Sequence, residues 1–361
     1  MNVPPCPSRS EYMHWAKTRQ AARFNLANSG VCAVARTELP FTLDDIELSG
    51  PSFYGWPPLI EALARHLGVT SDRVCAAEGT SGGNHLALAA CLRPGDEVLI
   101  ETPTYELLVD TARYLGAEIR RFPRRREDGF QPDLEVLRKH LTARTKLIVL
   151  TDLHNPTSAR LTEPVLRALA DLAAGAGARV LVDEVYLDAA FDPGARTAHR
   201  LGDHVLTTAS LTKVYGLSGL RCGWVVAAPD LVERMWRLND LFGVIPAHAA
   251  ERLSLVALNH LPRLRERARR ILETNRKLWN EFLNRRGDLM DAPLACGTVA
   301  FPRLTRGSVD DLCARLRSRY ETTVAPGHFF GVPDAFRVGL GCLPEVFAEG
   351  LRRLELAMQQ E

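Results

Sequence analysis

The segment SLTKVYGLSGLRCGW, residues 210–224, contains one of only five lysines in a chain of 361 residues. The other four are Lys17, Lys139, Lys146 and Lys277. A surface charge could be an arginine without loss, but a guanidinium keeps its proton, whereas an amine can be tuned to release it. Lys213 lies among small and hydroxyl residues, and Arg221 follows it after two glycines. The segment therefore predicts a lysine that acts as a nucleophile or a base.

The bulk composition restricts the class of protein. A chain of 361 residues exceeds one ordinary core, so two domains are expected. A hydrophobic content of 46% and a charged content of 24% are typical of a soluble globular protein. The net charge of +2 provides no field for nucleic acid or an anionic membrane, and the basic run at 120–128 is interpreted as a solvated loop. No apolar run approaches membrane-spanning length.

The eight cysteines are scattered along the chain and form no CxxC pair. Several lie in apolar surroundings, such as Cys91 in ALAACL. This usage indicates buried free thiols in a reducing cytoplasm. The ligand spacing of a zinc site is missing, so no metal is expected.

Strand-like apolar runs alternate with helical patterns through residues 96–228. DEVLIE (96–101), KLIVLTD (146–152) and RVLVDEV (179–185) are typical of short buried strands. The alternation predicts an α/β fold, with a three-layer and mainly parallel sheet that helices cover on both faces. Ligands bind beyond the carboxyl ends of the strands in such sheets.

The pattern changes after the predicted sheet. A helical, arginine-rich stretch runs from Pro229 to about Asn284, and shorter strands and helices alternate after it. We predict a large domain over residues 45–245. A smaller α+β domain is predicted from residues 1–44 plus 246–361, with long connecting helices.

The segment GTSGGNHLALAA (79–90) reads as a glycine-rich turn that opens a helix. Exposed amides of Gly83, Asn84 and His85 at a helix N-terminus would form an anion site suited to a phosphate. A plain turn between a strand and a helix also favours small residues, so both interpretations stand on this segment alone.

Two further polar residues fall near the ends of predicted strands. Asn155 lies in DLHNPTSA, where an Asn-Pro pair could simply start a turn. Asp183 ends the apolar strand in VLVDEVYLD. A carboxylate there is costly unless a cation accompanies it, and a core arginine is the simplest such partner.

These segments together resemble the fold-type-I pyridoxal-phosphate-dependent enzymes, in particular the class I/II aminotransferases. The pattern S-x-x-K-x-x-G-x-x-G-x-R-x-G, preceded by N-P and D-x-x-Y, carries the resemblance. It extends from about Asn28 to the end of the chain. The resemblance implies the three-layer large domain and the smaller α+β domain of that fold.

By this resemblance, Lys213 forms a Schiff base with pyridoxal 5'-phosphate, and Asp183 keeps the pyridine nitrogen protonated. The other assigned cofactor residues are Asn155 and Tyr186 at the phenolic oxygen, Tyr105 stacked on the ring, and Ser210, Arg221, Gly83, Asn84 and His85 at the phosphate. Tyr54 matches a tyrosine that reaches the phosphate of the neighbouring subunit. The resemblance therefore implies a homodimer with its active site at the interface.

The same resemblance implies two substrate-binding residues. Arg337 in AFRVGLG matches an arginine that grips the α-carboxylate with both nitrogens of its fork, a geometry that lysine cannot copy. Gly30 in LANSGV matches a glycine whose backbone lies beside the substrate. His14 and Trp15 could join the substrate wall, but packing of an amphipathic helix is the preferred explanation.

The function implied is an aminotransferase that moves an amino group between an α-amino acid and a 2-oxo acid. Two alternatives use the same constellation of residues. One is a β-eliminating lyase or an arginine-derivative cyclase of a capreomycidine-synthase-like subgroup. The other is the non-catalytic effector-binding domain of MocR-type regulators, which needs an N-terminal DNA-binding domain that this sequence does not display.

Overall fold

A computed structural model describes residues 9–192 and 196–359 of the chain. The α-helices are α1 (Glu11–Thr18), α2 (Pro57–Leu67), α3 (Gly79–Cys91), α4 (Glu106–Tyr114), α5 (Leu134–His140), α6 (Glu163–Gly175), α7 (Pro229–Asn239), α8 (His248–Asn259), α9 (Leu261–Asn284), α10 (Val309–Tyr320) and α11 (Pro344–Met358). The strands are β1 (Phe24–Asn25), β2 (Val74–Glu78), β3 (Glu97–Thr102), β4 (Glu118–Pro123), β5 (Thr145–Thr151), β6 (Arg179–Asp183), β7 (Val205–Ser210), β8 (Cys222–Val226), β9 (Leu289–Met290), β10 (Val299–Ala300), β11 (Arg303–Leu304), β12 (Thr322–Thr323), β13 (Ala325–Pro326) and β14 (Phe336–Gly339).

A seven-stranded sheet in the order β2-β8-β7-β6-β5-β3-β4 organises the molecule. Strand β8 is antiparallel to both of its neighbours, and the other strands run in one direction. The predicted α/β fold with a mainly parallel sheet is therefore confirmed. Because the parallel strands share a direction, the segments that follow β2, β3, β5, β6 and β7 meet at one edge of the sheet.

Both faces of this sheet are buried, which explains the nearly continuous apolar strands. In β5, Leu147 and Val149 belong to the core that α3 and α7 cover, whereas Ile148 and Leu150 belong to the core that α5 and α6 cover. Successive side chains of a strand point to opposite faces, so each face receives alternate residues. Helices thus lie on both sides of the sheet, as predicted.

The C-terminal part carries smaller sheets. Strands β10, β14 and β13 form an antiparallel sheet in that order, and β1 pairs with β12 in parallel. The segment GTVAFPRL (297–304) contains two short strands, β10 and β11, with Pro302 between them, because proline has no amide hydrogen for a ladder. The helical stretch after Pro229 is divided into α7, α8 and α9.

The predicted division at residue 245 stays a prediction. Helix α8 lies on the C-terminal side of that boundary, yet it packs against α2 and β8. No helix within residues 9–192 or 196–359 combines the length and apolarity that crossing a bilayer requires.

Candidate active site

A cavity of about 350 Å³ opens at the carboxyl edge of the sheet. Its volume lies in the range of small-molecule sites. The predicted site residues that line it are Gly30, Tyr105, Asn155, Asp183, Tyr186, Lys213 and Arg221. They come from segments that follow four different strands or from the N-terminal stretch, so the parallel sheet gathers residues that are far apart in sequence.

Lys213 extends into this cavity from the loop after β7. Its Nζ donates a hydrogen bond to Ser29 Oγ at 3.2 Å. Burial lowers the pKa of the Lys213 amine, and the nearby charges of Arg337 and Arg221 act in the same direction. A Cβ atom at Gly30 would lie 3.3 Å from Lys213 Cδ, so a side chain there would crowd the amine. These features suit a lysine that must lose its proton to react.

Asp183 ends β6 with its carboxylate almost fully buried. Oδ2 accepts a hydrogen bond from Asn84 Nδ2 at 2.8 Å, and Oδ1 accepts one from Val185 N at 3.1 Å. Burial outweighs these bonds and raises the pKa of Asp183 to about 6. No arginine in the described part of the chain forms a salt bridge with it. A ligand cation in the cavity would supply the charge that this carboxylate lacks.

The N-terminus of α3 contributes Thr80 and Ser81 to the lining of the cavity. The helix begins at Gly79, so the amides of Thr80 and Ser81 lie in its first turn without helical acceptors. Arg221 lies beside this turn, and a Cβ at Gly79 would come within 2.4 Å of its Nη2. Amides at a helix start together with a guanidinium suit a phosphate group.

The structure corrects the role expected for Gly83, Asn84 and His85. Because α3 begins four residues before Gly83, these amides lie in the second turn of the helix, and Gly83 packs against Val225 instead. The Asn84 side chain contacts Asp183, and the His85 ring packs against Phe242. Their amides therefore do not form the expected anion site.

Ser210 does not line the cavity, and its expected role at the phosphate stays a prediction. It is buried behind the cavity, and its hydroxyl bonds with Thr80 Oγ1 at 2.8 Å and Thr212 Oγ1 at 2.6 Å. Thr80 and Thr212 line the cavity in its place. Ser210 thus orients two hydroxyls that can reach an anion.

Asn155, Tyr186 and Tyr105 surround the middle of the cavity. Asn155 Oδ1 accepts a hydrogen bond from Arg337 Nη1 at 2.9 Å, which leaves the Asn155 amide group available to a ligand. Tyr186 donates its hydroxyl hydrogen to Ser29 Oγ at 2.8 Å. Tyr105 precedes the first residue of α4 and lies edge-on to Tyr12, with ring centroids 5.7 Å apart. Stacking of Tyr105 on a cofactor ring stays a prediction.

Arg337 is fully buried and does not line the cavity. Its Nη2 donates to Tyr12 Oη at 2.8 Å and to Ala27 O at 3.1 Å, and its Nε has no partner among the described residues. Within that part of the chain no carboxylate pairs with this guanidinium either. A buried cation without a counterion is costly, so Arg337 fits an anionic ligand group that reaches it past Tyr12.

A buried hydrogen-bond network holds the backbone of Asn155 in place. Glu101 accepts hydrogen bonds from Arg124 Nη1 at 2.7 Å and from the Thr151 hydroxyl at 2.7 Å. The Thr151 hydroxyl oxygen in turn accepts a hydrogen bond from the backbone N–H of Asn155 at 3.0 Å. The loop after β5 is therefore held by a paired charge inside the fold.

Several residues occupy positions that sequence reasoning did not assign. Tyr12, Ser29 and Thr212 line the cavity, whereas His14 is exposed and Trp15 packs against Tyr12 at a centroid distance of 6.3 Å. Thr212 directly precedes Lys213 and Ser29 directly precedes Gly30. Adjacency in sequence to a predicted site residue could therefore have indicated these two. Tyr12 offered no such signal.

Tyr54 lies outside the cavity, with 46% of its surface exposed. Arg237 Nη1 donates to its hydroxyl at 2.6 Å. The expectation that Tyr54 reaches the cofactor of a neighbouring subunit stays a prediction.

Comparison with known proteins gives this site a family. The family model for aminotransferase class I and II matches residues 29–354. The chain belongs to this family. It is 36% identical to capreomycidine synthase of Streptomyces vinaceus over 357 residues, which cover 93% of this chain and 90% of that protein.

Two solved structures resemble this member of the family. A PLP-dependent aminotransferase from Streptococcus suis superposes with a TM-score of 0.92 at 25% identity and covers 100% of this chain and 99% of that one. A PLP-dependent cyclase, OrfR, superposes with a TM-score of 0.89 at 25% identity and covers 100% and 98%. Pyridoxal phosphate is accordingly the cofactor of this enzyme, and the predicted fold type is confirmed.

The residues of the cavity fit this cofactor. Lys213 offers an amine whose pKa is lowered, and the buried Asp183 lacks a cation. The first turn of α3 and Arg221 offer an anion site at the other end. When bound there, pyridoxal phosphate supplies an electron sink that stabilises negative charge at a substrate Cα.

Proposed function

We propose that this enzyme cyclises an arginine-type amino acid after a substituent leaves its Cβ. The observation that carries the proposal is the 36% identity to capreomycidine synthase across nearly the whole length of both chains. The likeness to a solved PLP-dependent cyclase supports it. An arginine derivative provides a nucleophilic guanidine nitrogen within reach of its own Cβ, so loss of the substituent opens the carbon that the nitrogen attacks.

The residues of the cavity divide this reaction among them. Lys213 takes the Cα proton as general base, which a lowered pKa favours. The carboxylate of Asp183 holds positive charge at one end of the site, and the amide of Asn155 donates at its middle. Arg337 binds the substrate carboxylate once Tyr12 yields its hydrogen bond. Together these contacts orient the Cα–H bond toward Lys213.

The substrate end of the cavity supports a side chain without a carboxylate. Its wall includes the neutral residues Met13, Ala16 and Gln20. Within the described residues of one chain, the cations that line the cavity are Lys213 and Arg221. In this proposal Lys213 acts at the substrate Cα, and Arg221 binds the cofactor phosphate. No arginine of that lining remains to bind a second carboxylate, so dicarboxylic amino acids fit this chain less well.

Transamination is the second candidate, and it is the reaction that the sequence predicted. Membership of the aminotransferase family and the Streptococcus suis structure support it. In that reaction Lys213 would remove the Cα proton and return it within the site, and a 2-oxo acid would accept the amino group to complete the cycle. The two candidates differ in where that proton goes.

A product assay distinguishes these reactions. The holoenzyme is incubated separately with 3-hydroxyarginine and with a panel of proteinogenic amino acids, and products are identified by mass spectrometry. We expect the hydroxylated substrate to lose water and to give a cyclic product with the cofactor unchanged. Accumulation of pyridoxamine phosphate with the panel, together with no cyclic product, would make transamination the function.

We propose further that the enzyme is a homodimer with each site at the subunit interface. Phe53 is 70% exposed beside Tyr54, and Leu241 is 73% exposed on the loop after α7. Arg221 lines a second cavity of about 230 Å³ together with Ile245 of that loop, so the apolar surface adjoins the phosphate end. Exposed apolar patches of this kind mark protein interfaces.

Leu241→Asp is expected to weaken the dimer, because a charge would be buried at the apolar contact. Sedimentation velocity over a dilution series should show monomer for this variant at concentrations where the wild type is dimeric. Leu343→Asp is the matched control, since Leu343 is 45% exposed on the start of α11. A wild-type enzyme that is monomeric and fully active at working concentration contradicts this proposal.

The cytoplasm is the proposed location. The seven cysteines among the described residues are free thiols, and burial raises the pKa of several of them, such as Cys91 to about 11. Protonated, buried thiols fit a reducing compartment.

Arg337→Ala is expected to raise the apparent substrate constant by at least about tenfold, because charge-assisted hydrogen bonds contribute about 1.5–3 kcal/mol. Cofactor binding should change far less. Arg337→Lys keeps the charge without the fork and should show a similar loss. Arg286→Ala removes another mostly buried arginine, which pairs with Asp288 outside the cavity, and should leave the constant unchanged. An unchanged constant in Arg337→Ala would place the carboxylate site elsewhere.

A further inference from the structure

Ser29 lies between two hydrogen-bond donors that line the cavity, Lys213 and Tyr186. Its Oγ accepts from Lys213 Nζ at 3.2 Å and from Tyr186 Oη at 2.8 Å. Ser29 is buried, with 4% of the residue's surface exposed, and it lines the cavity. Ser29 is therefore in contact with the base without belonging to the set of residues that bind cofactor or carboxylate.

The backbone around Ser29 is clamped in place. Val31 N donates to Lys213 O at 2.8 Å, which ties this segment to the segment of the base. On the other side, a Cβ at Gly339 would come within 1.7 Å of Asn28 O, so β14 packs directly against the segment. The separation of Ser29 and Lys213 is thus set by main-chain contacts on both sides.

The hydroxyl of Ser29 has one hydrogen to donate and two lone pairs to offer. In this arrangement the amine and the phenol donate to its two lone pairs, so its own hydrogen can point to a third group. That hydrogen is left for a ligand in the cavity. The Ser29 hydroxyl can therefore deliver a proton to a ligand group while Lys213 holds the proton that it has taken.

We propose that Ser29 donates the proton to the group that leaves Cβ, an inference that rests on the proposed cyclase function. Lys213 Nζ takes the Cα proton, and the electron pair of the Cα–H bond forms the Cα–Cβ double bond as the Cβ–O bond breaks. The departing oxygen takes the hydroxyl hydrogen of Ser29 and leaves as water. Ser29 regains a proton from the Lys213 ammonium along the hydrogen bond between them, so the Cα proton is carried off in effect with the leaving group.

Two leaving groups on one substrate skeleton test this role. Hydroxide needs a proton to depart, whereas chloride does not, so the holoenzyme is assayed with 3-hydroxyarginine and 3-chloroarginine. Ser29→Ala should lower the rate of water loss by about 10²-fold, the smaller effect typical of a general acid. Chloride loss should fall by less than about threefold. Ser29→Thr keeps the hydroxyl and should restore water loss to near the wild-type rate.

The absorbance of bound cofactor checks that each variant is loaded and folded, and Ser29→Cys replaces Ser29→Ala if the alanine variant is not. The cysteine retains the size of the side chain with a weaker donor, and it should also lose water elimination selectively. Equal losses with both leaving groups would overturn the role of Ser29. A wild-type enzyme that eliminates neither group, yet converts amino acids to keto acids, would instead overturn the cyclase function.

Discussion

Lys213→Ala is expected to abolish covalent attachment of the cofactor and to lower turnover by at least about 10²- to 10⁴-fold, the contribution of a positioned general base. Lys213 is the one lysine that lines the cavity within the described residues. Burial lowers the pKa of its amine, so removal eliminates both the nucleophile and the base. The four other lysines do not line this cavity, so none of them is placed to substitute.

Borohydride reduction of the wild-type holoenzyme, followed by proteolysis and peptide mapping, should locate the cofactor on the peptide that contains Lys213. Lys146→Ala is the matched control, because Lys146 lies exposed on β5 and its Nζ donates a hydrogen bond to Ala143 O. That variant should keep both the label and the turnover. A label on any other lysine contradicts the assignment.

Asp183→Asn should retain the cofactor yet lose at least tenfold in turnover, a barrier increase of about 1.4 kcal/mol or more. The amide cannot hold the pyridine nitrogen in its protonated form, so the electron sink is weakened. Lys213 and the first turn of α3 remain, which is why the cofactor should stay bound. A turnover within tenfold of the wild type means that Asp183 is not the partner of that nitrogen.

The buried position of Asp183 also predicts a pH dependence. Burial raises the pKa of the Asp183 carboxyl group to about 6. As the pH falls through about 6, rather than near 3.8, this group is protonated and no longer pairs with a cation. Cofactor affinity of the wild-type apoprotein, measured by absorbance titration, should therefore decrease below about pH 6. Asp183→Asn should show lower affinity with no such decrease.

Asp152→Asn provides the matched control for both experiments. Asp152 lies just beyond β5, is buried to a similar extent, and burial raises its pKa to about 6 as well. It accepts a hydrogen bond from Leu161 N and does not line the cavity. The same chemical change at this position should leave turnover and the pH profile close to those of the wild type.

Much of the fold could be predicted because its signals are local. The strands β3, β5, β6, β7 and β8 each coincide with a short apolar run, and burial on both faces requires such runs wherever a parallel sheet forms. The start of α3 could not be predicted in the same way. Its N-cap residue, Glu78, makes no capping bond with its side chain, so the sequence carries no cap signal at the true beginning of the helix.

The sequence by itself determined the family, and it predicted Lys213 and the carboxylate at the end of β6 as cofactor residues, because these chemical roles restrict the residue type and its spacing within short segments. Only the tertiary structure decided which distant side chains complete the site. Tyr12 meets Arg337 across 325 residues, and Ser29 meets Lys213 across 184. Serine and tyrosine hydroxyls form hydrogen bonds at many positions in proteins, so the residue type alone does not show which side chain they contact. Packing of the N-terminal segment between β14 and the loop of the base supplies that partner.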